Sequence, residues 1–170
     1  MVKPNNLRKV SIARLKQEMQ DTVFLSDDLA ITTIDYLRNP TSEIPVSLDG
    51  FAAMIMMSGS AVLSIDTETY EVRPNMLVFF RPGSIIRTIR CSSDATAYLV
   101  ACSKAFVSDI QVDISASLPI HMRFGRKPCL QVTERDVAEI RQFFQLIKTV
   151  IQSDKERYLK EIIHPLFTAV

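Results

Sequence analysis

The sequence predicts a mainly β domain that ends in a pair of antiparallel α-helices, and three observations carry this prediction. Short apolar or alternating runs recur up to about residue 130, separated by turn residues at intervals of roughly ten, as in an antiparallel sandwich or barrel. No helix-length pattern interrupts these runs, so a parallel βαβ sheet is disfavoured. After this region the apolar residues recur with a helical period.

Each predicted strand is bounded by turn residues such as Gly, Pro, Asn, Asp or Ser. The predicted strands are Leu29–Asp35, Ile44–Leu48, Phe51–Met57, Ala61–Asp66, Thr69–Arg73, Met76–Phe80, Ile85–Cys91 and Thr96–Cys102. Phe51–Met57 and Met76–Phe80 are apolar on both faces, which is typical of strands in the middle of a closed architecture. Thr69–Arg73 alternates instead, with Tyr70 and Val72 on one face.

Two helices are predicted near the C-terminal end, over about residues 134–152 and 154–170. Thr133 and Asp136 resemble a capping box for the first helix, as do Ser153 and Glu156 for the second. The apolar arc of each helix is wider than one packing partner requires. Part of each arc packs on the other helix, the rest covers the β-domain or a second subunit, and we favour a helix-mediated homodimer. The predicted dimerisation residues are Val137, Ile140, Phe143, Phe144, Ile147, Val150 and Ile151.

Composition and charge exclude several classes of protein. The 170 residues suffice for one sizeable core. The longest apolar run, Phe51 to Met57, is far shorter than the roughly 20 residues that span a bilayer, so no membrane partner is expected. A net charge of +1 argues against nucleic-acid binding by bulk electrostatics. The first 20 residues are basic, and we interpret residues 1–24 as a solvated arm.

Signatures of catalysis and of metal binding are missing from the sequence. There is no glycine-rich phosphate-binding loop and no nucleophile elbow, and His121 and His164 lie far apart, so we predict no enzyme, no metal and no cofactor. Three cysteines without a C-x-x-C spacing fit a reduced compartment. Since no apolar signal segment follows Met1, we expect the protein in the cytoplasm.

Residues 51–89 resemble the cupin pattern. An apolar strand ends in Gly, and a hairpin, a Pro-Asn turn, a second apolar strand, Pro-Gly and a further strand follow, as FAAMIMMSGSAVLSID and YEVRPNMLVFFRPGSII show. Over about residues 25–170 the chain also resembles the N-terminal effector-binding domain of AraC-family transcriptional regulators. In that family two antiparallel dimerisation helices and a helix-turn-helix DNA-binding domain follow a cupin-like barrel. The order of elements makes the resemblance specific, because no single motif does.

The resemblance implies three regions: an arm at 1–24, a cupin-like barrel (double-stranded β-helix or jelly-roll) at 25–130, and a dimerising helix pair at 131–170. DNA would be bound only through a helix-turn-helix domain beyond residue 170. A small-molecule effector in the barrel would shift the arrangement of arm, barrel and helices, and so change how paired DNA-binding domains are presented. The polar candidates for ligand contact are Arg38, Tyr70, Arg87 and Tyr98.

Functions from other classes fit the residues less well. Catalytic cupins carry metal-binding histidines in the first motif and after the second Pro-Gly, whereas here Ile85 and Ile86 follow Pro82-Gly83-Ser84. A cyclic-nucleotide-binding regulator needs a Gly-Glu turn in its phosphate cassette, and no Gly-Glu dipeptide occurs. A metal-free dimeric binding or scaffold module stays open as the main alternative.

Overall fold

The computed structural model describes residues 7–18, 22–35, 44–109 and 127–153, and in these ranges the chain forms eleven strands and three helices. The strands are β1 (Arg8–Val10), β2 (Val23–Leu25), β3 (Leu29–Asp35), β4 (Val46–Leu48), β5 (Phe51–Ser58), β6 (Ala61–Ile65), β7 (Glu68–Val72), β8 (Met76–Phe80), β9 (Ile85–Cys91), β10 (Thr96–Cys102) and β11 (Cys129–Gln131). The helices are α1 (Ile12–Glu18), α2 (Lys104–Asp109) and α3 (Glu134–Gln152).

Within the same ranges the strands form a two-sheet sandwich. The five-stranded sheet has the order β1–β4–β9–β6–β7, and the six-stranded sheet has the order β11–β8–β5–β10–β3–β2. The paired strands of this part of the chain run antiparallel, except that β1 is parallel to β4. The predicted mainly β architecture is therefore confirmed, and the eight predicted strands agree with the structure to within two residues at each end.

The main hydrophobic core lies between the two sheets and is built by alternate residues of their strands. Met56, Leu63, Val72 and Val78 are fully buried in it. The alternation predicted for Thr69–Arg73 is the reason that Val72 reaches this core.

A second core lies on the outer face of the six-stranded sheet, where the helices cover it. Leu29 and Ile31 of β3 pack there with Phe144 and Ile147 of α3. The ring of Tyr98 on β10 stacks on Phe144, with ring centroids 4.3 Å apart and an interplanar angle of 11°. Since β3 and β10 contribute to both cores, the helix and the sandwich share structural elements.

The N-terminal segment packs into the main core, so the prediction of a solvated arm was wrong for residues 7–18. Val10 and Ile12 are only 3% and 2% exposed, and Leu15 packs against the same core. β1 pairs with β4 at one edge of the five-stranded sheet, and α1 then contacts β3 of the other sheet. The basic composition of this segment favoured a solvated arm. In the structure, however, exposed Lys9 and Arg14 alternate with side chains that are buried.

Helix α3 begins and ends where its periodicity predicts. Thr133 caps it: the threonine hydroxyl accepts a hydrogen bond from the Asp136 N–H at 3.2 Å, and the aspartate carboxylate accepts one from the Thr133 N–H at 2.9 Å. The predicted second helix, at 154–170, lies outside the described residues. Of the predicted helix pair, the structure therefore confirms the first member.

Candidate ligand-binding site

Strand register aligns side chains in rows across the inner face of the six-stranded sheet, because directly opposed residues share a face. The first row is Phe24, Ala30, Ala101, Ala52 and Phe80. The second is Thr32, Leu99, Met54, Val78 and Cys129, and the third is Ile34, Ala97 and Met56. These rows are apolar except for one threonine, and they form one wall of the space between the sheets.

The five-stranded sheet supplies the opposite wall in the same way. Its rows are Arg8, Val46, Ile86, Ile65 and Glu68; Thr88, Leu63 and Tyr70; and Cys91, Ala61 and Val72. The charged members of these rows, Arg8 and Glu68, lie on the edge strands β1 and β7. Between the edges this wall is apolar apart from the hydroxyl groups of Thr88 and Tyr70.

Leu99 indicates that solvent-accessible space exists between the walls. It faces inward from β10, which lies inside the six-stranded sheet, yet its side chain is only half-buried. Its inner-face neighbours along the strand, Ala97 and Ala101, are 0% and 1% exposed. Ile34 and Ile86 also face inward and are half-buried. We interpret this exposure as access of solvent through the space between the sheets.

The inward hydroxyl groups of Tyr70 and Thr32 already make hydrogen bonds within the chain. The Tyr70 hydroxyl donates to the carboxylate of Glu68, and this bond, together with burial, raises the pKa of Tyr70 to about 12. The Thr32 side chain is 4% exposed, and its hydroxyl donates to the carbonyl oxygen of Thr33 at 3.4 Å. Neither group is therefore preorganised to bind a polar ligand.

The three cysteines divide between the two faces of the sandwich. Cys91 and Cys129 face the inner space and are half-buried, whereas Cys102 packs on the side of α3. Burial raises the pKa of Cys102 to about 12 and that of Cys129 to about 11. Both thiols are protonated at neutral pH, so they contribute polarizable apolar surface and are poor nucleophiles.

Three of the four candidate ligand residues predicted from the sequence lie in the described ranges, and these three do not come together. Tyr70 faces the inner space, as described above. Arg87 is exposed on the outer face of β9, where it pairs with Ser64 of β6, and Tyr98 lies on the α3 side of its sheet. Arg38 lies outside the described residues. Of the three candidates that the structure describes, Tyr70 is the one that faces the space between the sheets, and Arg38 stays a prediction.

The predicted dimerisation residues of α3 divide into two groups. Four are buried against the sheet of their own chain: Val137, Phe144, Ile147 and Ile151. Three are half-buried: Ile140, Phe143 and Val150. Leu146, which lies on the same side as these three, is 47% exposed although it is large and apolar. Phe143 and Val150 also pack against the core beneath α3, so among these residues Leu146 is the most exposed.

The described part of the chain also bears on metal binding and on membrane insertion. No three His, Cys, Asp or Glu side chains in these ranges lie together in a way that could hold a metal ion. Both histidines lie outside the ranges. No helix in the described part has the length and hydropathy needed to cross a bilayer.

Solved structures with a similar fold include two of ToxT from Vibrio cholerae. One is an apo variant from strain SCE256, with a TM-score of 0.50 and 11% identity, matched over 84% of this chain and 54% of that chain. The other, from strain O395 and bound to (E)-4-(8-methylnaphthalen-1-yl)but-3-enoic acid, has a TM-score of 0.45 and 11% identity over 84% and 56%. A Cupin 2 conserved barrel domain protein from Salinispora arenicola CNS-205 has a TM-score of 0.36 and 16% identity over 48% and 66%. No curated protein matches the chain.

The likeness to the apo ToxT variant concerns the fold, and this chain spans about half of that protein's length. The sequence itself matches the family described as the AraC-like ligand binding domain, over residues 42–166. This match includes most of the sandwich and all of α3. The chain is thus a mainly β, cupin-like domain, and it belongs to the family of AraC-like ligand-binding domains.

Proposed function

We propose that this chain is the sensor domain of a bacterial, cytoplasmic AraC-type transcriptional regulator. It binds a small-molecule effector between its sheets, forms a homodimer and transmits its state to a DNA-binding domain, without catalysing a reaction. Membership of the ligand-binding family is the observation that carries the proposal. The accessible inner face around Leu99 supports it, because a ligand there would touch both walls.

Strand β10 connects the proposed ligand site with the helix. Successive side chains on a strand point to opposite faces, so Leu99 faces the inner space while its neighbours Tyr98 and Val100 pack towards α3. A ligand that contacts Leu99 therefore acts on the strand whose other face holds Phe144. If the ligand binds one position of β10 more tightly than another, it shifts the packing of α3 in the same direction.

The exposed side of α3 supports the proposed homodimer. Ile140, Phe143, Leu146 and Val150 recur at intervals of three or four residues, which places them in one stripe along the helix. Phe143 and Val150 also pack against the core beneath α3, so within this stripe Leu146 offers the most exposed apolar side chain to a second copy.

The dimer is tested by sedimentation velocity on the 170-residue chain and two variants. We expect a dimer for the unmodified chain, and a monomer for Leu146→Glu, because a charge in a buried interface is strongly disfavoured. Ile89→Glu is the matched control: Ile89 is also 47% exposed, but it lies on β9, away from α3, so this variant should remain a dimer. A monomeric unmodified chain, or a dimeric Leu146→Glu, would contradict the proposed interface.

The regulator itself is tested by reading the gene past codon 170. We expect about 100 further residues, a typical length for a small domain, with two helix-turn-helix patterns and basic recognition helices. The full-length protein should then bind a DNA site with a salt-dependent affinity that this domain alone lacks. A stop codon directly after Val170 would overturn the proposed link to transcription.

A further inference from the structure

We infer that the ligand of this domain is an apolar molecule, held between the sheets by aliphatic and sulfur-containing side chains, and that the site does not accept a sugar or another polyol. The inference rests on the proposed sensing function and adds the chemical class of the ligand. It is carried by three features of the inner walls: which residues solvent reaches, how their hydroxyl groups are used, and where charge lies.

The inward residues that solvent reaches are apolar on the strands between the edges, apart from Thr88. The polar ones at the edges include Tyr70 and also Gln131, which is paired with Met76 and whose amide donates to the carbonyl oxygen of Asn75. Leu99 and Ile34 on one wall, and Ile86 on the other, present branched aliphatic chains. Met76 and Cys129 add a thioether and a protonated thiol at the side where β8 and β11 pair. Thioethers adapt to irregular apolar shapes, and protonated thiols behave as small hydrophobic groups. The free energy falls when an apolar ligand replaces water on such surfaces.

The walls offer a polyol few hydrogen bonds. Each ligand hydroxyl that leaves water without finding a partner carries a free-energy penalty. The inward hydroxyl groups of Thr32 and Tyr70 are engaged by Thr33 and Glu68. Towards a ligand these two groups can only accept a hydrogen bond, so among the hydroxyl-bearing residues of the described rows Thr88 is the one that can also donate. A sugar carries several hydroxyl groups and needs several hydrogen-bonding partners that can donate as well as accept. The walls described here do not supply them.

Charge lies at the borders of the inner walls. Arg8 and Glu68 occupy opposite edge strands in one row, with Val46, Ile86 and Ile65 between them. Neighbouring strands are about 4.8 Å apart, so this apolar interval spans roughly 19 Å from edge to edge. A ligand at its centre contacts neither charge. The central part of the site therefore selects against charged as well as polyhydroxylated molecules.

The test uses N-phenyl-1-naphthylamine, an uncharged apolar fluorophore, and the polyols D-glucose and L-arabinose. Fluorescence titration of the 170-residue chain should give one saturable site for the fluorophore, and neither sugar should raise the thermal midpoint. Leu99→Gln places an amide on the apolar wall and should weaken fluorophore binding at least about tenfold. Ile89→Gln, on the exposed outer face, is the matched control and should leave the affinity unchanged.

A second readout keeps the result independent of folding defects in Leu99→Gln. Leu99→Met conserves volume and apolarity, so it should fold and bind the fluorophore as the unmodified chain does. Bound fluorophore should also slow iodoacetamide alkylation of Cys129, which faces the inner space. It should not alter alkylation of Cys102, which faces α3.

The outcomes separate the ligand class from the sensing function. Stabilisation by either sugar, fluorophore binding that Leu99→Gln leaves unchanged, or no binding of any of the three probes would overturn the inferred ligand class. Binding of a sugar that also changed the DNA affinity of the full-length protein would leave the sensing function intact. Site-specific fluorophore binding would uphold the ligand class even if the DNA affinity of the full-length protein stayed constant, and that constancy would count against sensing.

Discussion

Gly59 occupies a position that only glycine fits, and Gly83 provides a matched comparison. Both have left-handed backbones, with φ of +66° and +83°. A Cβ on Gly59 would lie 2.6 Å from the backbone of Ala95, whereas a Cβ on Gly83 would meet nothing within 4 Å. Gly83→Ala should therefore cost about 1–2 kcal/mol of unfolding free energy, the usual cost of a left-handed alanine. Gly59→Ala should cost more, because Ala95 must also move. Urea unfolding of both variants measures the difference, and equal losses would contradict the steric argument.

The capping box of α3 makes stability depend on pH. Hydrogen bonds from the side chain and backbone N–H of Thr133 hold the pKa of Asp136 below its ordinary value. Because the folded pKa is the lower one, this contribution is complete above about pH 3.9 and is lost as pH falls through the lowered pKa. Asp136→Asn should therefore destabilise the protein at neutral pH, by an amount that shrinks in strong acid. Denaturant unfolding at several pH values checks this, with the exposed Glu139→Gln as the control, which should show little effect at neutral pH. A loss of stability in Asp136→Asn that did not change with pH would contradict the role given to the Asp136 carboxylate.

At the scale of an element, α3 is held to the sheet by its buried side and not by its exposed one. Phe144 is 3% exposed and stacks on Tyr98, so Phe144→Ala should cost about 3–5 kcal/mol of unfolding free energy. Leu146, two residues further along the helix, is 47% exposed, and Leu146→Ala should change stability by no more than about 0.5 kcal/mol. Both values are obtained by equilibrium unfolding at protein concentrations at which the chain is monomeric. Similar losses in the two variants would show that α3 packs by a different face.

The elements that the sequence predicts are those with a strong local signal. β3, β8, β9, β10 and α3 match their predicted bounds, because turn residues and hydrophobic period mark them without reference to the rest of the chain. Strands β1, β2 and β11 are not predicted, because three residues each are too few to show a period. Helices α1 and α2, of seven and six residues, are not predicted either. Helix α1 owes its place to the burial of Ile12 and Leu15, which only the tertiary structure reveals.

The candidate site was harder to predict than the fold, and β10 shows why. Its two faces, with Leu99 on one and Tyr98 and Val100 on the other, are both apolar, since one meets the inner space and the other meets α3. Sequence alone does not distinguish these faces, so it points to Tyr98 for its hydroxyl group and does not single out Leu99. In β7 the alternation places Tyr70 on the same face as Val72, and the structure shows that this face is the inner one. The small residues Ala97 and Ala101 lie on either side of Leu99 on the same face of β10, and this pattern predicts a recess in that face.

At the scale of the whole molecule, the shared strands predict one cooperative folding unit. β3 places Ala30 in the main core and Ile31 in the helix core, so neither core can form without this strand. Ile12 is fully buried in the main core, and Ile12→Ala should cost about 2–5 kcal/mol. If the unit is cooperative, the urea midpoints followed by pulsed alkylation of Cys129, in the main core, and of Cys102, in the helix core, should coincide and fall together.

Leu7→Ala provides the control for this last prediction. Leu7 belongs to the same N-terminal segment but is 40% exposed, so its truncation should leave both midpoints nearly unchanged. If Ile12→Ala instead lowered the Cys129 midpoint and left the Cys102 midpoint in place, the two cores would be independent. In that case an event between the sheets could not reach α3 through β10, and the proposed route from ligand to dimer would fail with it. Coincident midpoints would establish the mechanical connection that this route requires.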